Sequence, residues 1–209
     1  MARAQRLRPA TAARIISDLD YCPDYLSAAG AARYMTVLRN GLAWQRRSIV
    51  LFGHRYLQPR MIAFYGDEGV SYSYSRQRLS ALPWPAPLAR LRDGLVRHCR
   101  APFNCVLANL YRDGDDCMGW HSDDEAELGE QPLIASLSLG AARDFALRSR
   151  RGSPKLLRLS LLSGSLLVMR GDFQQAWQHA LPRAPNPCAA RINLTFRQVT
   201  LRGRGDAQR

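Results

Sequence analysis

Two histidines and one aspartate in the second half of the chain have the side chains of a metal site. His121 and Asp123 are two positions apart, so on an extended strand both side chains leave the same face and can bind one ion. His179 is available as a third ligand. Two imidazoles and one carboxylate leave other coordination positions open, an arrangement typical of non-haem Fe(II) centres. Alternatively, each histidine is a surface or hydrogen-bonded residue, since an H-x-D pattern also arises by chance.

The segment 191–197 has a second polar pattern, which suits a diacid. A period of two places four polar residues on one strand face, namely Arg191, Asn193, Thr195 and Arg197. Apolar residues alternate with them. Because a guanidinium can bind a carboxylate in a bidentate manner, two arginines on one face favour a small dicarboxylate such as 2-oxoglutarate. The alternative is an amphipathic surface strand with exposed arginines.

These motifs resemble the AlkB-type Fe(II)/2-oxoglutarate-dependent dioxygenases, which remove alkyl groups from nucleic-acid bases. The similarity runs from about residue 48 to residue 201 and is greatest to the subgroup that repairs duplex DNA in animals. Further motifs in the family's order and spacing are Pro59-Arg60, Tyr65-Gly66-Asp67, Phe103-Asn104, Ala135-Ser136, Arg143-Asp144-Phe145 and Gly164-Ser165-Leu166-Leu167. The resemblance implies a double-stranded β-helix (jelly-roll) fold that uses Fe(II), 2-oxoglutarate and O2.

The resemblance also implies roles for the residues of both motifs. The candidate metal ligands would be the catalytic residues that bind Fe(II). The 2-oxoglutarate pocket would be formed by Asn109, Tyr111, Arg191, Asn193, Thr195 and Arg197. The first three would bind the distal carboxylate, and Arg197 would face the metal-chelating end. This agrees with the need of a buried dianion for hydrogen-bond donors and positive charge. As alternatives, Asn109 is a turn residue and Tyr111 an ordinary core residue.

The implied reaction is the direct reversal of base alkylation. Oxidative decarboxylation of 2-oxoglutarate to succinate would drive hydroxylation of the N-linked alkyl group, and collapse of the hemiaminal would restore bases such as N1-methyladenine and N3-methylcytosine. The substrate would be DNA, including duplex DNA, from which the nucleotide must be flipped out to reach a buried metal. Alternatives are a single-stranded DNA or RNA demethylase of the same family, a non-catalytic module that binds damaged bases, and a protein hydroxylase.

Substrate contacts are implied in two regions. In a nucleotide-recognition lid at about residues 48–78, Tyr72 and Tyr74 flank Ser73 and share a strand face, where we expect stacking on the base. Asp124 and Glu125 resemble acids near the lesion, which suit the positive charge of methylated adenine or cytosine. The alternatives are core or surface tyrosines and exposed acids.

The segment 51–54 falls where the duplex-repairing members have a hairpin tip. Phe52 is the expected wedge that fills the gap left by the flipped base, with Gly53 and His54 beside it. Alternatively, Phe52 is a strand-core aromatic residue. The sequence departs from the family pattern at Leu51, where the family has valine, and at Ser122, between the candidate iron ligands. Duplex preference therefore has less support than catalysis.

The charge of the chain favours a polyanionic partner. The chain has 30 lysine and arginine residues and 17 aspartate and glutamate residues, which give a net charge of +13 and a pI near 10.4. Such a charge favours binding to nucleic acid through counterion release and electrostatic steering. Alkylated DNA is the expected partner. The alternative is that an arginine bias with a single lysine, Lys155, reflects genome base composition.

The cysteines and the apolar segments bear on location. The 5 cysteines are odd in number and contain no C-x-x-C pair, which predicts a reducing compartment. We expect the cytoplasm, with nucleoid association in a bacterium or nuclear location in a eukaryote. No segment reaches the length of a membrane span. We expect a monomer without an obligate protein partner.

The elements that must position these residues are mainly β-strands with flanking helices. Helices are predicted at residues 24–42 and 85–99, and strands at 60–65, 71–75, 105–111, 133–139, 145–149, 156–161, 165–170 and 190–201. A chain of 209 residues suits one domain. We expect a basic, flexible N-terminal segment at 1–20, one catalytic jelly-roll domain at 21–203 and a C-terminal tail at 204–209.

Overall fold

A double-stranded β-helix forms the body of the protein. The computed structural model describes residues 5–7, 16–51, 54–74, 77–150 and 156–200. The strands, in chain order, are β1 (Gln5–Leu7), β2 (Leu19–Cys22), β3 (Ser48–Leu51), β4 (His54–Leu57), β5 (Met61–Gly66), β6 (Ser71–Tyr74), β7 (Gln77–Ser80), β8 (Cys105–Tyr111), β9 (Met118–His121), β10 (Ile134–Gly140), β11 (Arg143–Ser149), β12 (Leu156–Leu161), β13 (Leu166–Met169), β14 (Trp177–Leu181) and β15 (Arg191–Arg197). The helices are α1 (Ala28–Gly41), α2 (Ala86–Cys99) and the short α3 (Phe173–Ala176), with a 3-10 turn at Ala126–Leu128.

Two sheets form the β-helix. The minor sheet has the strand order β1-β12-β11-β14-β9, and the major sheet has the order β2-β13-β10-β15-β8-β5. From β8 to β15 the chain alternates between the sheets, except where β11 and β12 form a hairpin within the minor sheet. Apart from β1, which lies parallel to β12, the described pairings are antiparallel. This is the predicted jelly-roll arrangement.

Two apolar clusters hold these layers together. The first lies between the sheets and contains Phe64 of β5, Leu107 of β8 and Leu147 of β11. The second packs the outer face of the major sheet against the helices and contains Leu38 of α1 and Leu91 of α2. The major sheet is therefore buried on both faces. Because its inner face is covered by the minor sheet, a site on that face is enclosed by protein.

The last strand, β15, separates its polar and apolar residues as predicted. Ile192, Leu194 and Phe196 pack into the cluster beneath the helices. The four polar residues of the same strand face the space between the sheets. The separation follows from the period of two, because successive side chains leave a strand on opposite faces.

Both predicted helices are present, with boundaries that differ by up to four residues. α1 begins at Ala28 instead of residue 24, because Ser27 is its N-cap and accepts a hydrogen bond from the Gly30 N–H at 3.2 Å. α2 begins at Ala86, one residue later than predicted, with Pro85 as its N-cap residue. Among the described helices, none is long and apolar enough to cross a membrane.

The predicted strands are also present, and the structure adds several short ones. The strand predicted at 190–201 ends at Arg197. The sequence does not predict β2, β9 or β14, which have four or five residues each. Packed residues also begin before residue 21, because Ile16 and Leu19 are buried between the sheets and β2 pairs with β13.

Two hairpins precede and follow β5, within the range predicted for the lid. In the described part of the chain β3 pairs with β4 alone and β6 with β7 alone, so each hairpin is a separate two-stranded sheet. The side chains of β4 are exposed. By contrast, β6 and β7 place Tyr72 and Leu79 in the core. The predicted tip residues Phe52 and Gly53 lie outside the described residues.

Candidate active site

A pocket between the two sheets gathers the residues predicted to bind iron and cosubstrate. Its wall contains the three candidate metal ligands and all six residues predicted for the 2-oxoglutarate pocket. Apolar side chains from both sheets, such as Leu107 and Phe145, line the rest. Residues far apart in the chain thus share one partly apolar cavity, in which electrostatic interactions are stronger than in water.

The candidate metal ligands converge at one end of this pocket. His121 is the last residue of β9, and its Cα partner on the neighbouring strand β14 is His179. The two imidazole centroids are 4.2 Å apart. Asp123 follows β9, and its Oδ1 lies 3.9 Å from His121 Nε2. One ligand atom from each of the three residues lies within 4.8 Å of the others, a spacing that fits a single ion.

Neighbouring groups hold both imidazoles in the neutral form that binds metal. His121 Nδ1 lies 2.9 Å from the Gly119 carbonyl oxygen, and the tautomer that donates this hydrogen bond leaves Nε2 available. The ring of His179 packs 5.1 Å from that of Phe145 and 6.3 Å from that of Phe173. Burial lowers the pKa of His121 and brings that of His179 to about 3.

Asp123 is held from two sides. Its Oδ2 accepts a hydrogen bond from Arg197 Nη2 at 2.8 Å, and its N–H donates to Gln174 Oε1 at 3.0 Å. Burial alone would raise the pKa of this carboxyl, but the charge of Arg197, with smaller effects of His179 and His121, holds it well below its usual range. The carboxylate is therefore ionised and oriented, as a metal ligand requires.

Arg191 is a buried cation at the other end of the pocket. It is 1% exposed, its Nη2 donates to Ser138 Oγ at 2.8 Å, and its Cζ lies 5.6 Å from the centroid of the Tyr111 ring. Burial lowers its pKa to about 10. Within the described residues no acidic side chain forms an ion pair with it. A buried guanidinium in this setting favours an anionic ligand.

The remaining donors of the two arginines fit a diacid. Nε of Arg191, and Nε and Nη1 of Arg197, are buried and form no hydrogen bond with the described protein atoms. Buried donors normally have partners. The donor set therefore suits Fe(II) at the imidazoles and the carboxylates of 2-oxoglutarate along β15.

Asn109 is fixed by an arginine that the sequence alone does not assign to the site. Arg60 Nε donates to Asn109 Oδ1 at 2.8 Å, and both side chains are buried. Since the amide oxygen is occupied, Nδ2 is the part of Asn109 that can donate to a ligand. Arg60 belongs to a short motif of the family, but its partner lies 49 positions away in the chain.

Asn193 and Thr195 line the pocket with their own hydrogen bonds satisfied. Asn193 Nδ2 donates to Ser136 Oγ at 2.7 Å, and Thr195 Oγ1 donates to Asn193 Oδ1 at 2.9 Å. Asn193 is also the strand partner of Asn109. These two side chains therefore shape the wall, whereas the free donors belong to the arginines.

Of the predicted substrate residues, Tyr72 and Glu125 lie beside the metal ligands. The Tyr72 ring is 0% exposed, stacks 6.0 Å from Phe64, and has Arg197 Cζ 5.4 Å from its centroid. Its hydroxyl interacts with the Glu125 carboxyl. Burial raises the pKa of Glu125, and Tyr72 opposes that shift. In this arrangement the tyrosine supports the acid and is not an exposed stacking platform.

The other predicted substrate residues lie at the surface or have side chains outside the described part. Asp124 is at the surface, where its Oδ2 pairs with Arg150 Nη1 at 3.3 Å. His54 is exposed on β4, with its ring 6.5 Å from that of Tyr56. The side chains of Ser73 and Tyr74 lie outside the described part.

A family model and curated relatives show the family of the chain. The 2OG-Fe(II) oxygenase superfamily model matches residues 18–197. Alpha-ketoglutarate-dependent dioxygenase alkB homolog 3 of Bos taurus is 36% identical over 193 residues, covering 88% of this chain and 67% of that protein. DNA oxidative demethylase ALKBH2 of Homo sapiens is 43% identical over 160 residues, covering 73% of this chain and 61% of that protein. The chain thus spans 61–67% of the length of these two relatives.

Solved structures agree on the fold. An oxidoreductase of the 2OG-Fe(II) oxygenase family from Burkholderia pseudomallei superimposes with a TM-score of 0.64 at 12% identity, covering 96% of this chain and 99% of that one. The structure of OsALKBH1 gives a TM-score of 0.60 at 16% identity, covering 94% and 100%. At these identities the likeness concerns the fold alone. From the family model and the curated relatives, the chain belongs to the 2OG-Fe(II) oxygenase superfamily and, within it, to the AlkB-type dioxygenases.

Proposed function

We propose that this protein removes methyl and other small alkyl groups from base nitrogens in DNA, including duplex DNA, by oxidative direct reversal. The observation that carries the proposal is the shared pocket. In it a His-Asp-His cluster lies together with two arginines of one face of β15, which have unpaired donors. The name of the human relative, a DNA oxidative demethylase, supports DNA as the substrate.

As a member of its superfamily, the protein uses Fe(II), 2-oxoglutarate and O2. When bound, they supply the oxidation that hydroxylates the carbon attached to the base nitrogen. His121, Asp123 and His179 are proposed to hold the metal, with Arg197 keeping the Asp123 carboxylate ionised. Arg191, together with the Tyr111 hydroxyl and the Nδ2 of Asn109, is proposed to bind the distal carboxylate of 2-oxoglutarate. The apolar wall of the pocket excludes water from the reacting groups.

Recognition of the base is proposed to involve Glu125. Adenine methylated at N1 and cytosine methylated at N3 carry positive charge, and a carboxylate near the iron favours such bases electrostatically. Burial raises the pKa of Glu125, and the interaction with Tyr72 offsets part of that rise, which favours the ionised carboxyl. The nucleotide must leave the duplex to reach this point. The hairpin of β3 and β4 is proposed to carry the wedge, Phe52, at its tip.

The net charge of +13 supports nucleic acid as the partner, since neutralised phosphates release counterions. We propose that the catalytic unit spans residues 21–203, extended by the packed residues from Ile16 onward, and acts as a monomer. The 5 free cysteines support a reducing compartment, the cytoplasm or nucleus.

The test is repair of N1-methyladenine and N3-methylcytosine in matched single- and double-stranded oligonucleotides. The repaired base, formaldehyde and succinate are quantified by mass spectrometry, with and without Fe(II) and 2-oxoglutarate. We expect one formaldehyde and one succinate for each restored base, on both strand forms, and none with Asp123→Ala. Absence of base repair while succinate forms normally would contradict the substrate assignment.

A further inference from the structure

Arg143 is a buried arginine without a place in the chemistry described above. It is the first residue of β11, is 2% exposed and does not line the pocket. Its guanidinium donates to three main-chain carbonyl oxygens, from Nη1 to Asp113 at 3.0 Å and from Nη2 to Asp116 at 2.9 Å and to Pro182 at 2.6 Å. Within the described chain it forms no ion pair. A buried charge satisfied by carbonyl groups alone is costly, which points to a specific use.

The three carbonyls belong to two loops that leave the strands of the site. One loop joins β8, which ends at Tyr111, to β9. The other joins β14, which carries His179, to β15. Because one guanidinium holds both loops, Arg143 links the end of the strand that bears Tyr111 to the end of the strand that bears a candidate metal ligand.

The two loops are packed closely at the same point. Gly114 N–H donates to Asn186 Oδ1 at 3.1 Å, and Ala184 N–H donates to the Gly114 carbonyl at 2.9 Å. A Cβ on Gly114 would clash with the main chain of Ala184. The Arg143 guanidinium therefore joins two loops that are closely packed against each other.

The same guanidinium lies close to Tyr111, which lines the cosubstrate end of the pocket. Arg143 Cζ is 5.9 Å from the centroid of the Tyr111 ring, and Arg191 Cζ is 5.6 Å from that centroid. Both distances are within the range of cation–π interactions. Burial is the main cause of the lowered pKa of Arg191, and the charge of Arg143 adds to it. An anion bound at Arg191 would relieve this repulsion.

We propose that Arg143 is a positioning residue for 2-oxoglutarate. It packs against the Tyr111 ring and adds positive charge that the distal carboxylate of the cosubstrate neutralises. It acts through Tyr111 and Arg191 and does not touch the ligand. The inference rests on the proposed function in one respect, that these two residues bind that carboxylate. The proposed role of Arg143 makes the affinity for a diacid depend on a residue that does not line the pocket.

The test compares Arg143→Met and Arg143→Lys with a matched control, Arg158→Met. Arg158 lies on the neighbouring strand β12, is 40% exposed and pairs with Asp144 at 3.6 Å. Binding of 2-oxoglutarate to Mn(II)-loaded protein, which does not turn over, is measured by titration calorimetry. The KM values for 2-oxoglutarate and for the methylated oligonucleotide, and the thermal unfolding of the metal-free proteins, are measured in parallel.

We expect Arg143→Met to weaken 2-oxoglutarate binding about tenfold or more, as outer-shell substitutions commonly do. Its KM for 2-oxoglutarate should rise by the same factor, with the KM for the oligonucleotide unchanged. Arg143→Lys keeps the positive charge but cannot donate to all three carbonyls. It should therefore weaken 2-oxoglutarate binding, but less than Arg143→Met does. Arg158→Met should bind like the wild type.

Wild-type affinity for 2-oxoglutarate in folded Arg143→Met, or equal rises in both KM values, would overturn the proposal and leave demethylation intact. If Arg143→Met does not fold, Arg143→Lys decides by the same criterion. A wild-type protein that fails to bind 2-oxoglutarate would instead overturn the proposed function and this inference together. A wild type that binds 2-oxoglutarate but repairs no base would overturn the substrate assignment alone.

Discussion

Arg197 and Asp123 form a buried pair that assigns the two oxygens of the aspartate to different tasks. Oδ2 accepts the Arg197 hydrogen bond at 2.8 Å, and Oδ1 faces His121 Nε2 at 3.9 Å. Each side chain is at most 4% exposed. Arg197 thereby orients one candidate metal ligand while its other donors face the cosubstrate pocket.

The first prediction separates the two arginines of β15. Arg197→Met should weaken metal binding on the order of 10–100-fold, because it removes the partner that orients Asp123. Arg191→Met should leave metal affinity unchanged and weaken 2-oxoglutarate binding by about 1.5–3 kcal/mol, the typical value of a hydrogen bond to a charged group. Mn(II) titrations without and with 2-oxoglutarate measure both effects. Wild-type metal affinity in Arg197→Met would contradict the orienting role.

The second prediction concerns the stability of the metal-free protein. Asp123→Ala leaves the Arg197 charge buried without its partner, so it should lower the free energy of unfolding by about 3–5 kcal/mol. His121→Ala should cost less, because that imidazole is partly exposed and neutral. Adding Arg197→Met to Asp123→Ala should restore part of the loss. Urea denaturation of the single and double variants checks the coupling, which is absent if the two losses simply add.

The third prediction concerns the β3–β4 hairpin. If Phe52 fills the gap in the duplex, Phe52→Ala should lose a stacking contribution of roughly 1–3 kcal/mol, and repair of duplex substrate should fall about tenfold or more. Repair of single strands should barely change. Leu57→Ala, which removes an exposed apolar side chain at the base of the same hairpin, is the control. Equal losses on both strand forms with a lower melting temperature would show Phe52 to be a core residue.

The fourth prediction is a pH dependence outside the metal site. Burial would raise the pKa of Asp116, but hydrogen bonds and charge from Arg112 outweigh it and leave the pKa below its ordinary value of 3.8. A carboxyl whose pKa is lower in the folded than in the unfolded state stabilises the protein at pH values above its unfolded-state pKa. This stabilisation is lost as the pH falls through the folded-state pKa. Asp116→Asn should therefore cost about 1–3 kcal/mol at neutral pH. The difference from wild type should shrink below about pH 4, as measured by denaturation at several pH values.

The sequence predicts the parts of the site that depend on local spacing. The period of two in β15 correctly separates four polar residues from three apolar ones, and the same period places Asn109 and Tyr111 inward on β8. These predictions succeed because the alternation of side chains is a property of the strand itself.

The parts that depend on distant partners are not predictable in this way. Arg60 and Arg143 appear in the sequence as members of short motifs, yet their acceptors lie 27–49 positions away. Gln174, which holds the Asp123 main chain, has no sequence signal. The strands β9 and β14 are missed because each is short and is stabilised by pairing with distant strands, β9 with β14 and β14 also with β11. Asp124 and Glu125 are adjacent, and only the fold decides that Glu125 interacts with Tyr72 while Asp124 pairs with Arg150 at the surface.

The separate pairing of β3 with β4 has a consequence for how this enzyme can diverge. Their described backbone hydrogen bonds are made within the hairpin, and the side chains of β4 are exposed. Substitutions of the β4 side chains should cost little folding free energy, because these side chains are exposed and belong to neither apolar cluster. With the wedge role proposed for this hairpin, strand preference can drift in evolution while the oxidising centre is preserved, since the hairpin is a sheet of its own.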